Sequence, residues 1–207
     1  MEPLSSFEVD ALKEIGSIGM GNATTSLSEL IHKDVRLNLT DARLLDPRHI
    51  AQSIPESITM IGVMQKMEGG LEGVALLLFE FNNATSLSSL LLHGSQTISD
   101  PDMHESALSE LGNILAGSYM SSVHSFLGLE VHLSPPNVIV GSILKILENT
   151  AHVSGSAIND LLNIETMFMV HGAGATSGLD TIYGDMFLLL TPDSLSDIQD
   201  SIMQMFS

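Results

Sequence analysis

The chain has 207 residues, of which 44% are hydrophobic, enough to bury one sizeable core, and its mean hydropathy of +0.29 is typical of a folded protein. The 25 acidic residues outnumber the 7 basic ones and give a formal net charge of −18, which argues against nucleic acid or an anionic membrane surface as the main partner. The absence of cysteine excludes disulfides and thiolate chemistry.

The sequence predicts neither export nor membrane insertion. Its first thirty residues show no signal-peptide pattern. The apolar runs VALLLF at 74–79 and MFLLL at 186–190 are too short to cross a bilayer. We therefore expect a soluble cytoplasmic protein.

Two stretches with apolar residues at helical spacing predict long helices, at about 6–30 and 102–127. The first is preceded by Ser5-x-x-Glu8, which has the spacing of a capping box. The second is preceded by Asp100 as a candidate N-cap, with Pro101 at its first position.

The remaining predicted elements are shorter. Alternating residues after each long helix predict strands, at 35–39 and 131–133. The stretch 58–81 predicts a hairpin turned at Glu68-Gly69-Gly70, and 165–191 plays the same part near the C-terminus. Short helices are expected at 46–53, 83–93, 137–149 and 193–206.

The two long helices also resemble each other in sequence. DALKEIGSIGMGNA and SALSELGNILAGSY match at a constant offset of 96 residues, which aligns Asp10 with Ser106, Glu14 with Glu110, Gly16 with Gly112, Ser17 with Asn113 and Gly21 with Gly117. Duplication explains this better than chance. It predicts one α+β domain over residues 1–207, with internal repeats at about 5–97 and 100–207. We expect a mainly antiparallel sheet with the two long helices on one face, related by a pseudo-twofold axis.

A polar stripe follows one face of the second long helix. Ser106, Glu110 and Asn113 share that face, and Gly117 extends it without a side chain. So low a surface would let another protein approach closely, and the Asn113 amide offers both a donor and an acceptor for orienting a water. The alternative is an ordinary solvated face whose glycines serve internal helix packing, and the spacing alone leaves both open.

The spacing Ser106-x3-Glu110-x2-Asn113-x22-Pro136 resembles the signature of the CheC, CheX and FliY phosphatase family of the bacterial and archaeal chemotaxis system. The duplicated EIG…GN and ELGN…G helices and the SPP at 134–136 are similar to the CheC type in particular.

The resemblance implies an enzyme that hydrolyses the aspartyl phosphate of the response regulator CheY. It implies that Asn113 places the attacking water in line with the phosphorus and that Glu110 engages the lysine beside the phosphoaspartate. Ser106 and Pro136 would have structural or docking roles, together with the low surface at Gly117. The regulator would supply the phosphate and Mg²⁺, so no cofactor or metal is expected on this chain.

The first copy departs from the signature. Asp10 and Glu14 fit it, but Ser17 stands in place of the asparagine and Thr40 in place of the proline. We therefore expect a degenerate second site. The alternative function is a non-catalytic regulator that sequesters CheY or binds CheD, a receptor-modifying deamidase of such systems; a pure binder has no need of the Asn113 amide.

Two other patterns do not support a site. GSIGMGN at 16–22 lies within a predicted helix, lacks a preceding strand and lacks the Lys-Ser/Thr of a phosphate-binding loop. The eight histidines form no HxxxH or HExxH pair, so a metal site is not expected.

Overall fold

A computed structural model describes residues 5–32, 34–45, 47–92, 101–154, 160–171 and 179–205. Six helices and seven strands lie within these ranges: α1 Ser6–Ile31, β1 Val35–Leu45, α2 Pro47–Ser53, β2 Met60–Gly69, β3 Gly73–Glu80, α3 Phe81–Leu91, α4 Pro101–Leu127, β4 Val131–Leu133, β5 Asn137–Gly141, α5 Ile143–Ser154, β6 Asp160–His171, β7 Leu179–Leu190 and α6 Pro192–Met205. The described ranges contain no helix with the length and apolar character needed to cross a membrane.

The described strands form one antiparallel sheet in the order β1-β6-β7-β3-β2-β4, and β5 also pairs with β2. The β2–β3 and β6–β7 hairpins meet in the middle through β3 and β7. Each hairpin pairs on its outer side with a strand from the other half of the chain, β1 on β6 and β4 with β5 on β2. This order confirms the predicted α+β class and antiparallel sheet. The repeat bounds of about 5–97 and 100–207 remain a prediction.

Helices cover both faces of the sheet. Buried side chains of α1, α3, α4 and α6 pack on one face, and those of α2 and α5 pack on the other. Since β3 is covered on both sides, its residues from Gly73 to Phe79 are all buried. A strand buried on both faces needs apolar residues at every position, which explains the continuous run VALLLF.

The two long helices lie side by side, as predicted. A Cβ built on Gly19 of α1 would lie 3.0 Å from both the Ser118 carbonyl oxygen and the Tyr119 Cα of α4. Only a glycine permits backbones to approach so closely. Gly19 thus permits the close packing of α1 on α4.

The helix starts agree with the sequence where they are described. The Ser5 hydroxyl accepts a hydrogen bond from the Glu8 N–H at 3.3 Å, and the Ser5 N–H donates to Glu8 Oε2 at 2.6 Å, which completes the capping box. Pro101 is the first residue of α4. The predicted N-cap, Asp100, lies outside the described residues.

The predicted hairpin and three of the short helices are present. The β2–β3 hairpin turns after Gly69, whose φ of +105° favours glycine. The short helices α2, α3 and α6 lie at nearly the predicted bounds.

The helix expected at 137–149 is wrong in its first part. Residues Asn137–Gly141 form β5, which pairs with β2, and α5 begins only at Ile143. The segment NVIVG is rich in β-branched residues, which favour a strand. The 96-residue offset aligns 137–141 with 41–45, the second half of β1, which was also missed because β1 was expected to end at residue 39.

Candidate functional site

The polar stripe of α4 faces away from the core. Ser106, Glu110 and Asn113 are exposed, and Gly117 is half-buried. The opposite side of the helix is buried at Leu108, Leu111, Gly112, Leu115, Ala116 and Tyr119. The helix therefore presents its carboxylate and amide to any partner that meets this face.

A buried glutamine holds the Asn113 side chain. Gln65 Nε2 donates to Asn113 Oδ1 at 3.0 Å and to the Ser134 carbonyl oxygen at 3.0 Å. Gln65 is only 3% exposed, whereas the amide of Asn113 reaches solvent. With Oδ1 bonded on one side, Asn113 keeps its Nδ2 donors and one Oδ1 lone pair for a water or a ligand.

Gln65 was not predicted as a site residue from the sequence. Alternate residues of a strand share a face, and Ile61, Val63 and Met67 of β2 all pack in the core beneath the long helices. Gln65 occupies the same row, which makes it the polar exception in an apolar strand. A glutamine in this otherwise apolar row was the sequence feature that could have pointed to it, because a buried amide requires hydrogen-bonding partners.

The loop at 134–136 is fixed to the same strand. The Lys66 N–H donates to Ser134 Oγ at 2.9 Å, and the Ser134 N–H donates to the Lys66 carbonyl at 2.9 Å. Pro136, half-buried, closes this loop between β4 and β5. The structure thus brings Asn113 and the SPP loop together through β2, although 22 residues separate Asn113 from Pro136.

Glu110 lies one turn from Asn113, about 4.5 Å along the helix axis. In the described part of the chain its exposed carboxylate has no ion-pair or hydrogen-bond partner, so it is available to a cation on another molecule. Ser106 differs, because its hydroxyl donates to the Asp102 carbonyl at 2.8 Å within the helix. That bond occupies the hydroxyl proton and favours a structural or docking role over nucleophilic chemistry.

The two glycines of the stripe segment have different surroundings. A Cβ on Gly112 would lie 2.8 Å from Val63 Cγ1, whereas a Cβ on Gly117 would have no neighbour within 4 Å. Gly117 borders an open depression of about 410 Å³, which is also lined by Met120, Ser121, His124, Glu130, Val131, His132 and Leu133. Packing therefore accounts for Gly112, whereas nothing within 4 Å of a Cβ at position 117 requires a glycine there.

The first copy is differently built. Asp10, Glu14 and Ser17 are exposed on α1, as their counterparts are on α4. Thr40 lies within the continuous strand β1, at the register shift between Leu39 and Asp41, where the second half has the SPP loop. Proline cannot donate to a ladder, so its replacement by threonine is compatible with an unbroken strand.

The strand register shows a further difference. The 96-residue offset aligns Leu37 of β1 with Leu133 of β4. Leu37 pairs with Phe168 of β6, and Leu133 pairs with Met67 of β2, so Phe168 and Met67 occupy equivalent positions. The same register places Thr166 of β6 at the position of Gln65. At the site on α1, hydroxyl residues thus occupy the positions of both amides of the site on α4: Ser17 that of Asn113 and Thr166 that of Gln65.

Within the described ranges, no group of three or more His, Cys, Asp or Glu side chains is arranged to hold a metal ion.

Comparison with known proteins identifies relatives. A model of the CheC-like family matches residues 103–140. The chain is 30% identical over 141 residues to the flagellar motor switch phosphatase FliY of Bacillus subtilis (strain 168), covering 67% of this chain and 37% of that protein. It is 27% identical over 136 residues to the CheY-P phosphatase CheC of the same strain, covering 63% and 65%.

Among solved structures, the crystal structure of Thermotoga maritima FliY superposes with a TM-score of 0.78 at 21% identity and covers 98% of each chain. This likeness establishes a shared fold. The aligned part of the chain spans less than two thirds of the length of the two Bacillus relatives. The family resemblance seen in the sequence is confirmed.

Proposed function

We propose that this chain, which is CheC-like in residues 103–140, hydrolyses the aspartyl phosphate of the response regulator CheY. The observation that supports it most is the Asn113 amide, exposed on the low face of α4 and held from beneath by Gln65 at 3.0 Å. The names of the relatives supply the substrate class: FliY is named a phosphatase, and CheC a CheY-P phosphatase.

In this proposal Asn113 positions the water that attacks phosphorus. Phosphoryl transfer needs a nucleophile placed in line and charge stabilisation, with little covalent chemistry from the catalyst. An amide with one face bonded to the protein and the other open to solvent suits that task, because its orientation is set before the substrate arrives.

Glu110 has a separate role. Its exposed carboxylate would pair with the lysine beside the phosphoaspartate of CheY and so fix the docked geometry. The regulator would bring the phosphoryl group and its Mg²⁺. No cofactor on this chain enters the proposal.

Three residues form the proposed docking surface around this pair. Ser106 lies one turn before Glu110, Gly117 one turn after Asn113, and Pro136 in the loop tied to β2. The corresponding residues of the first copy, Asp10, Glu14 and Ser17, form a degenerate second site in this proposal. A serine hydroxyl is shorter than an amide and lacks its fixed donor–acceptor pair.

The test uses the purified chain in catalytic amounts with phosphorylated CheY and Mg²⁺, and follows phosphate release. The wild type should accelerate release beyond the intrinsic rate, with each molecule turning over many times. Asn113→Ala should abolish most of the acceleration. Asn149→Ala removes a half-buried amide from α5, on the other face of the sheet, and should leave the acceleration unchanged.

The non-catalytic alternative predicts a different result. A regulator that sequesters CheY would bind it without accelerating phosphate release, and Asn113→Ala would then have no effect on the rate. A regulator of CheD would bind that protein while leaving CheY untouched. Binding assays with CheY and with CheD, run beside the phosphate assay, distinguish the three.

A further inference from the structure

We infer that Gln65 is a positioning residue: it sets which end of the Asn113 amide faces the partner, and the turnover rate depends on that orientation. The inference rests on the proposed function for its kinetic consequence. The orientation of the Asn113 amide itself is inferred from the hydrogen bonds that link β2, α4 and the loop at 134–136.

The orientation follows from a chain of donors and acceptors. The Ser134 carbonyl can only accept, so the end of Gln65 that meets it must be the amide nitrogen, Nε2. The second N–H of that nitrogen points at Asn113, so the atom that it meets must be the acceptor Oδ1. A backbone carbonyl therefore fixes Gln65, and Gln65 turns the Nδ2 of Asn113 away from the sheet.

The Ser134 carbonyl, from which this series of hydrogen bonds starts, is held rigidly. Ser134 is bonded to Lys66 through both its N–H and its hydroxyl, at 2.9 Å each, so its carbonyl is held to the strand next to Gln65. Gln65 itself is 3% exposed and cannot reorient into solvent.

The helix above leaves room for the glutamine. A Cβ on Gly112 would lie 3.7 Å from Gln65 Oε1, in addition to its clash with Val63. A larger residue at position 112 would press on the side chains that lie beneath α4. Gly112 thus lets α4 pack closely on the part of β2 that carries Val63 and Gln65.

This arrangement also gives the SPP loop a function. The two prolines interrupt the strand, so the Ser134 carbonyl accepts from Gln65 at the point where pairing between β4 and β2 gives way to the loop. Orientation of the catalytic amide and shape of the loop are thereby coupled through one buried side chain.

The test compares Gln65→Leu, which keeps approximate size and removes both hydrogen bonds, with Met64→Ala as the matched control. Met64 is equally buried on the next position of β2 but packs on the opposite face of the sheet. Steady-state kinetics with phosphorylated CheY should show kcat about tenfold lower in Gln65→Leu, as expected on losing one orienting hydrogen bond. KM of Gln65→Leu should stay unchanged, because Gln65 is too buried to touch a partner. Met64→Ala, assayed below the temperature at which that variant unfolds, should keep the wild-type kcat.

Gln65→Glu supplies a second readout. An ionised carboxylate cannot donate to Asn113 or Ser134, whereas a protonated one regains a donor. The ratio of its kcat to the wild-type kcat should rise as pH falls from about 8 to about 5.5. Burial raises the pKa of a glutamic acid, so a buried one becomes protonated as the pH falls through this range. The same ratio for Gln65→Leu should stay flat.

A wild-type kcat in Gln65→Leu, or a change confined to KM, would overturn the inference while leaving the proposed function standing. If the wild-type protein does not accelerate phosphate release, the proposed function is contradicted instead. The side-chain amide resonances of Asn113 in the free protein then decide the positioning role by themselves. They should shift in Gln65→Leu and stay in place in Met64→Ala, and an unshifted Asn113 amide in Gln65→Leu would contradict the inference.

Discussion

Gly112 of α4 lies directly on Val63 of β2: a Cβ at position 112 would come within 2.8 Å of Val63 Cγ1. Valine is stiff about χ1 and its methyl group cannot swing aside cheaply. The helix and the sheet meet so closely here because residue 112 has no side chain. Five residues along the same helix, Gly117 meets nothing within 4 Å.

This difference predicts opposite effects of one substitution. Gly117→Ala should raise the free energy of unfolding by up to about 1 kcal/mol, because alanine favours the helix and the new methyl group has space. Gly112→Ala should lower it by about 1–3 kcal/mol, because overpacking outweighs the gain in helix propensity. Urea denaturation of the two variants checks the prediction, and equal effects would contradict the assignment of separate roles.

A large residue at Gly117 tests the docking surface. Gly117→Leu should remain folded, since its side chain enters open space, and should raise KM for phosphorylated CheY about tenfold, corresponding to about 1.4 kcal/mol of lost binding. Gly21→Leu is the control, because Gly21 of α1 is equally open. If Gly117→Leu binds CheY as the wild type does, the partner docks elsewhere.

The hydroxyl of Tyr119 is buried and has no hydrogen-bond partner among the described residues. Tyr119→Phe should therefore raise the free energy of unfolding by about 1 kcal/mol, because an unsatisfied buried hydroxyl is costly. Thermal or chemical denaturation at neutral pH measures this, and a destabilised Tyr119→Phe would show that the hydroxyl has a partner.

Alkaline pH should widen the gap between wild type and Tyr119→Phe. Burial raises the pKa of Tyr119, so the folded state keeps a proton that the unfolded state loses above about pH 10. The wild type should lose stability through this group as pH rises above that value, whereas Tyr119→Phe should not.

The two halves should contribute unequally to activity. Glu110→Ala should lower turnover strongly, because the docked geometry is lost. Glu14→Ala should matter far less, since the site on α1 has Ser17, Thr40 and Thr166 where the site on α4 has an asparagine, a proline and a glutamine. Parallel kinetics of the two variants test this, and a larger loss in Glu14→Ala would place the working site in the first half.

The sequence predicted most of the fold because its signals are local and repeated. Helical spacing located α1 and α4, the Ser5–Glu8 pair located a cap, and Gly69 located a turn. The 96-residue offset predicted that the halves share one sheet. The offset could not reveal β5, because it aligns 137–141 with the second half of β1, which was itself not predicted as a strand.

The candidate site was predicted less completely. Spacing along one helix gathered Ser106, Glu110 and Asn113, because helix geometry fixes which residues share a face. Gln65 is 48 residues from Asn113 and meets it only through packing of α4 on β2. Such a contact depends on which strand lies under which helix, and no local pattern in the sequence specifies that.

The most direct test of the central claim is phosphate release from phosphorylated CheY with Mg²⁺, measured with wild type and with Asn113→Ala at equal, catalytic concentrations. The account predicts that the wild type accelerates release and that Asn113→Ala loses about 100-fold of the acceleration, the usual scale for removing one positioned polar group from a transition state. Equal acceleration by the two proteins would contradict it.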